Sequence, residues 1–192
     1  MSGPRIVLAS SSPRRSGLLR SAGLEFSIEA CETAEIHDPA LGLAGLVTAN
    51  ARTKAISVAA AHPDAIVIGA DTLVWLDGSA LGKPADPDQA RRMLGRLAGR
   101  VHEVATGVHL VRLESHRQIE FHEVTRVRFR ELDEAAIEDY LTRVPVLDKA
   151  GAYALQDHGE LIVESVEGSR SNVVGLPLAR TLAALRRLMD DA

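Results

Sequence analysis

The sequence predicts an α/β protein with a mixed, twisted β-sheet flanked by helices. Apolar runs of strand length alternate with segments in which apolar residues recur every three or four positions, as on the buried face of a helix. Two further segments, around Thr106 and Arg128, alternate apolar and polar residues, as strands with one solvated face do. The glycine patterns of Rossmann and P-loop phosphate sites are absent from the sequence, so a doubly wound topology has no support.

The first half of the chain gives two helices and two core strands. Pro13 suits the first position of a helix and Gly23 the position after its end. Asp77-Gly78 is a preferred two-residue hairpin turn. The predicted elements are a strand over Ile6–Ala9, a helix over Pro13–Ala22, a helix over Leu43–Ala61, a strand over Ala65–Ala70 ending at Asp71, and its continuation over Thr72–Leu76.

The second half adds three helices and three strands. A helix begins at Asp86-Pro87 and is closed by Gly99. Two long strands, Val104–Leu110 and one around Val127–Phe129, are predicted to pair through a polar loop near Ser115. The remaining elements are a helix capped by Asp133 and ended by Pro145, a strand over Leu161–Val166, and a terminal helix from Pro177.

Composition excludes several classes of protein. The 192 residues hold 22 basic and 26 acidic side chains, and only 3% are aromatic, which argues against nucleic-acid binding. Cys31 is the only cysteine, so an intrachain disulfide cannot form and a reducing, cytoplasmic location is expected. The apolar run Ile6–Ala9 is too short for a secretory or membrane-spanning segment, so we expect no membrane association.

A serine and arginine cluster lies at the first strand-to-helix turn. Ser10, Arg14 and Arg15 would gather hydroxyls, guanidinium groups and free backbone N–H groups at a helix start, which suits a phosphate. An ordinary helix N-cap with two solvated arginines fits this segment equally well.

A second cluster centres on Asp71 and Thr72, which the hairpin brings back towards Lys83. A carboxylate and an ammonium could then flank one ligand, although a structural salt bridge is the alternative. Lys54 and Glu35 give weaker signals, because isolated charged residues are mostly solvated.

A third cluster, Asp148–Gln156, combines a charged pair, small residues and a glutamine. Small residues permit a ligand to approach closely, but they also suit a tight turn that leads into a strand. The spacing does not decide between these two interpretations.

Together these segments resemble the Maf family, the septum formation proteins, over nearly the whole chain. The similar blocks are Leu8–Arg15, Ile68–Thr72, Gly82–Pro84, Asp148–Gln156 and Val173–Leu178. The resemblance implies a single Maf-like nucleotide pyrophosphatase domain over residues 1–192. It also implies two lobes with a cleft, similar to the inosine triphosphate pyrophosphatase-like fold.

The family resemblance implies a house-cleaning hydrolase that converts a nucleoside triphosphate to the monophosphate and pyrophosphate. Asp71, Lys54 and Lys83 match its catalytic positions, and Glu35 and Asp71 would hold Mg²⁺, Mn²⁺ or Co²⁺. The implied substrate-binding residues are Ser10, Arg14, Arg15, Thr72 and Gln156. A homodimer is also implied.

The resemblance further implies the substrate. Arg14, Thr72 and Gln156 match the subfamily that acts on dTTP and UTP rather than 7-methyl-GTP, and modified pyrimidine triphosphates are further candidates. The Gln156 amide offers one acceptor and one donor, as the N3–H and O4 edge of uracil or thymine requires.

The alternative function is a non-catalytic nucleotide sensor that regulates cell division and septum formation.

Overall fold

The fold is taken from a computed structural model that describes residues 4–30 and 33–190, so Cys31 lies outside the described residues. Its strands are β1 (Ile6–Leu8), β2 (Ser27–Ile28), β3 (Ile66–Leu76), β4 (Ser79–Leu81), β5 (Val101–Arg112), β6 (Arg117–Phe129) and β7 (Val163–Glu167). Its α-helices are α1 (Pro13–Ser21), α2 (Gly42–Ala59), α3 (Pro87–Leu97), α4 (Glu134–Arg143), α5 (Arg170–Val174) and α6 (Leu178–Asp190).

Among the described residues, seven strands form one mixed sheet in the order β2-β1-β3-β5-β6-β7, with β4 paired to β3. β1 runs parallel to both β2 and β3, and Leu8 is paired with Ile68. β4 is antiparallel to β3 and β7 is antiparallel to β6. The predicted α/β class with a mixed sheet and flanking helices is therefore confirmed.

The chain divides into two compact units, as the two predicted lobes require. The described residues within 1–71, 106–123 and 175–192 form the first unit, and residues 72–105 and 124–174 form the second. The predicted cleft and the single domain over residues 1–192 stay predictions.

The first unit buries both faces of its sheet. Alternate residues of β1 separate into two apolar clusters: Ile6 and Leu8 pack with Leu185 of α6, whereas Val7 packs with Ala55 of α2. Burial on both faces explains why β1 and the first half of β3 are continuously apolar, since neither side of the strand meets water.

The second unit has an apolar core of its own, into which α3 and α4 place Leu94 and Tyr140. The Tyr140 hydroxyl accepts a hydrogen bond from the Ala154 N–H (3.0 Å) and lies 3.3 Å from the Ala154 carbonyl oxygen. Tyr140 therefore ties α4 to the segment that contains Ala154.

The structure differs from the sequence prediction chiefly in short elements. β2 and α5 were not predicted, because two to five residues are too few to show a periodicity. The predicted strand over Ala65–Ala70 and its predicted continuation over Thr72–Leu76 form one uninterrupted strand, β3, and Asp71 lies inside it. No helix in the described part of the chain is both long and apolar enough to cross a membrane.

Candidate active site

The turn between β1 and α1 is held by an arginine rather than by a serine cap. Ser12 occupies the N-cap position, but its side chain makes no capping hydrogen bond. Arg15 donates from Nη1 to Ser10 Oγ (3.1 Å) and from Nε to the carbonyl oxygen of Gly175 (2.9 Å). The turn therefore presents a guanidinium group fixed by two contacts, which favours the anion-site interpretation over the ordinary cap.

The charge of Arg15 is set by its surroundings in the first unit. Burial lowers the pKa of the Arg15 guanidinium, the nearby Arg14 lowers it further, and the carboxylates of Asp71 and Glu35 oppose this effect. An arginine keeps its proton despite such a shift. Arg15 is therefore a permanent, partly desolvated cation whose charge acts on the carboxylates of Asp71 and Glu35.

Lys54 joins the two predicted metal ligands of the first unit. Its Nζ lies 2.5 Å from Asp71 Oδ1 and 3.1 Å from Glu35 Oε1. Asp71 is buried, Lys54 is largely buried, and the Glu35 side chain is 41% exposed. One ammonium thus lies between two carboxylates, one inside the protein and one reaching solvent.

Two glycines allow α2 to carry Lys54 this close to β3. A Cβ atom on Gly69 would lie 2.3 Å from the Ala51 carbonyl oxygen and 2.7 Å from the Ala55 nitrogen. A Cβ atom on Gly107 of β5 would lie 2.3 Å from the Val47 carbonyl oxygen. Backbone thus packs directly on backbone, which no larger residue at these two positions permits.

Asn50 is a part of this site that the sequence analysis did not assign. It lies one helical turn before Lys54 on α2 and is buried. Its Nδ2 is 3.3 Å from Asp71 Oδ2, and its Oδ1 accepts a hydrogen bond from the Ile36 N–H (2.7 Å). The available signal was the spacing of four residues that puts Asn50 and Lys54 on one helix face.

The other predicted residues lie in the second unit. Thr72 is half-buried on β3, Lys83 is exposed just after β4, and Gln156 is exposed, with its Nε2 donating to Asp157 Oδ2 (3.2 Å). The Asp77-Gly78 turn forms as predicted, with Leu76 paired to Ser79. The pairing of Lys83 with Asp71 stays a prediction, whereas Lys54 is an observed partner of Asp71.

The Asp148–Gln156 segment contains the predicted tight turn. Gly151 has a φ of 70°, and its N–H donates to the Gly82 carbonyl oxygen (3.0 Å), one residue before Lys83. A Cβ atom on Gly151 would lie 2.9 Å from Val74 Cγ2. Lys149 is buried and its Nζ donates to Asp148 Oδ1 (2.7 Å). The close approach of a ligand to this segment stays a prediction.

The carboxylate pair suits a hard divalent cation that also binds phosphate. Within residues 4–30 and 33–190, no group of three or more His, Cys, Asp or Glu side chains converges on one point. Mg²⁺ needs no such cage, because it commonly takes one or two carboxylates and completes its shell with water and substrate phosphates. Glu35 and Asp71 face one positive group, Lys54 Nζ, so their oxygens fit this role.

Comparisons with known proteins agree with the family-like sequence blocks and with the cluster of Lys54, Asp71 and Glu35. The family model described as Maf-like protein matches residues 5–188. The chain belongs to the Maf family. Relatives in this family include a dTTP/UTP pyrophosphatase of Akkermansia muciniphila, which is 45% identical over 96% of this chain and 97% of its own length.

Two further Maf relatives carry the same name. A dTTP/UTP pyrophosphatase of Symbiobacterium thermophilum is 46% identical over 94% of this chain and 92% of its own length. That of Clostridioides difficile is 44% identical over 91% of this chain and 90% of its own length. The matches cover both compact units.

Proposed function

We propose that this Maf protein is a nucleoside triphosphate pyrophosphatase that converts dTTP and UTP to the monophosphate and pyrophosphate. The observation that carries the proposal is the contact of Lys54 with both Asp71 and Glu35. Three relatives of nearly full-length coverage, each named dTTP/UTP pyrophosphatase, support the same reaction.

Each charged residue has a distinct role in the proposed reaction. Asp71 orients a water molecule and takes its proton as the water oxygen bonds to the α-phosphorus. The bond from the α-phosphorus to the bridging oxygen breaks, and pyrophosphate leaves with that oxygen. Arg15 and Lys54 offset the negative charge that accumulates on the phosphate oxygens, and Lys83 is proposed to bind the leaving pyrophosphate.

A divalent cation is proposed to complete the site. Glu35 and Asp71 would hold it, and it would supply positive charge to the phosphate oxygens. Lys54 would neutralise the same carboxylates before the substrate and cation arrive. Mg²⁺, Mn²⁺ and Co²⁺ are all candidates, because oxygen ligands accept each of them.

Base selection is proposed to depend on Arg14, Thr72 and Gln156. An amide at residue 156 can accept a hydrogen bond from N3–H and donate one to O4 of uracil or thymine. A glutamate at this position would instead offer two acceptors, which suit the N1–H and N2–H donors of guanine. Modified pyrimidine triphosphates that keep this edge are further candidate substrates.

The proposed test is a panel of nucleoside triphosphates assayed with Mg²⁺, Mn²⁺ or Co²⁺. We expect pyrophosphate and the monophosphate in equal amounts, with dTTP and UTP turned over fastest. Release of orthophosphate, or binding of nucleotide without turnover, would contradict the proposal. The second outcome would favour the non-catalytic sensor of cell division, which needs cations to hold phosphate but no carboxylate to orient water.

The cellular setting is part of the proposal. A single cysteine, which cannot form an intrachain disulfide, supports a reducing compartment such as the cytoplasm. A formal net charge of −4 supports a small nucleotide rather than a nucleic acid as the partner. The homodimer implied by the family resemblance stays a prediction.

A further inference from the structure

We propose that Asn50 is a positioning residue that orients the Asp71 carboxylate and also holds the segment bearing Glu35. The inference rests on the proposed function and adds to it a residue that acts through another. Asn50 is only 2% exposed, and a buried amide requires partners for its oxygen and both of its hydrogens.

The partners of Asn50 fix which way its amide points. Oδ1 lies 2.7 Å from the Ile36 nitrogen, which can only donate, so this atom must be the acceptor. Nδ2 lies 3.2 Å from the Ile36 carbonyl oxygen and 3.3 Å from Asp71 Oδ2, both of which accept. The reversed amide would set donor against donor and acceptor against acceptor, so one orientation satisfies every contact.

Asp71 is therefore held through both of its carboxylate oxygens. Lys54 Nζ bonds Oδ1 at 2.5 Å, and Asn50 Nδ2 bonds Oδ2 at 3.3 Å. Both donors come from α2, four residues apart, so one rigid helix fixes the rotation of the carboxylate. A water-orienting acid needs this control, because an error of about 1 Å can cost roughly 100-fold in rate.

Asn50 also holds the backbone next to Glu35. Its amide pairs with both the N–H and the carbonyl of Ile36, as a neighbouring strand would. Glu35 precedes Ile36 and reaches Lys54 Nζ at 3.1 Å. One side chain thereby links the two carboxylates that are proposed to bind the cation.

The test is a double-mutant cycle with Asn50→Leu and Asp71→Asn, assayed by pyrophosphate release from UTP. Asn50→Leu alone should lower kcat about 10- to 100-fold and change KM less than about threefold, since only orientation is lost. In the Asp71→Asn background the same change should cost less than about threefold, because its target is gone. An equal loss of kcat in both backgrounds would overturn the inference.

Asn50→Asp is a second variant in case Asn50→Leu does not fold. It keeps an acceptor for the Ile36 N–H but replaces the donor to Asp71 with a second carboxylate, so kcat should again fall at least about tenfold. The matched control is Thr53→Val on α2, whose hydroxyl bonds the Ala49 carbonyl oxygen, and its kcat should equal that of the wild type. Unchanged kcat in Asn50→Asp would overturn the inference.

The NMR resonance of the Asn50 side-chain amide is a readout that does not depend on activity. It is identified by its loss in Asn50→Leu. It should shift in Asp71→Asn and stay in place in Thr53→Val, and an unchanged resonance in Asp71→Asn would overturn the inference. A wild type that releases no pyrophosphate would instead overturn the proposed function and the role of Asn50 in it. If the wild type turns over UTP and Asn50→Leu is equally active, the positioning role of Asn50 is refuted and the proposed function stands.

Discussion

At the scale of single residues, the first unit concentrates opposite charges around one buried acid. A nucleoside triphosphate carries about four negative charges, and the protein has a formal net charge of −4, so binding requires local cations. Lys54 and Arg15 are proposed to supply them within the first unit, where burial makes each charge act more strongly than it would in water. In the proposed site, phosphate recognition would depend on the placement of these cations rather than on the net charge of the protein.

Gln156→Glu tests base selection at the same scale. A glutamate offers only acceptors, so one of them would face O4 of the pyrimidine without a proton between them. We expect kcat/KM for UTP to fall about 10- to 100-fold, as for an unpaired polar contact, and the ratio of GTP to UTP turnover to rise. An unchanged ratio in steady-state assays of both nucleotides would show that Gln156 does not contact the base.

Sequence reasoning did not predict the contact of Lys54 with Asp71. Lys54 was assigned through the family resemblance, and the hairpin predicted Lys83 close to Asp71, a pairing that stays a prediction. The observed partner, Lys54, comes from α2, 17 residues earlier in the chain. Sequence spacing gives no signal for such a contact, because it depends on how closely a helix packs on a sheet.

At the scale of elements, the contact of α2 with the sheet positions the site. Gly69 on β3 and Gly107 on β5 leave no room for a side chain beneath the α2 backbone. Asn50 and Lys54 both project from this helix towards Asp71. A small displacement of α2 would therefore disturb both contacts together.

Gly69→Ala tests this packing. The new methyl group would overlap the α2 backbone, which cannot move aside as a flexible side chain can, so the free energy of unfolding should fall by about 1–3 kcal/mol. kcat should fall as well, because Lys54 moves away from Asp71. Urea unfolding and pyrophosphate release measure the two effects.

Gly17→Ala in α1 is the matched control for that variant. Apart from its chain neighbours and the backbone of its own helix, no atom of the described residues lies within 4 Å of a Cβ atom placed on Gly17, which lies inside α1. Alanine in a helix interior should stabilise the protein by about 0.5–1 kcal/mol without changing kcat. A Gly69→Ala protein as stable and active as Gly17→Ala would contradict the proposed packing role.

The helices α3 and α4 were predictable because each has a clear start signal. Asp86 and Asp133 accept hydrogen bonds from the backbone N–H groups of Gln89 and Ala136, as N-caps of α3 and α4 do. The two-residue β2 has no comparable signal, since both of its side chains are exposed and its pairing partner is distant in the chain. Short elements of this kind are determined by tertiary contacts.

At the scale of the whole molecule, each compact unit has a buried histidine that affects stability at low pH. In the second unit, His102 packs edge-on against Phe129 and Tyr153, and its Nε2 is 2.9 Å from the Tyr153 hydroxyl. Burial lowers the pKa of His102 from 6.5 to about 4. In the first unit, burial also lowers the pKa of His109, against the opposing effect of Glu120.

The pH dependence of stability follows from the sign of these shifts. Between pH 6.5 and 4 the unfolded chain binds a proton at His102 that the folded protein does not, so stability falls as the pH falls. From pH 7.5 to pH 5, the protonation of His102 in the unfolded chain should lower the free energy of unfolding by about 2 kcal/mol. In His102→Phe, urea unfolding at both pH values should show this part of the dependence removed, and an undiminished dependence would contradict the assignment.

The most direct test of the account is the rate of pyrophosphate release from UTP by the wild type and by Asp71→Asn. The substitution keeps the shape of the side chain but removes the carboxylate that is proposed to take the proton from water. We expect kcat to fall at least about 100-fold, within the range for loss of a general base, while circular dichroism and urea unfolding show a folded protein. A folded Asp71→Asn protein with near-normal kcat would contradict the central claim.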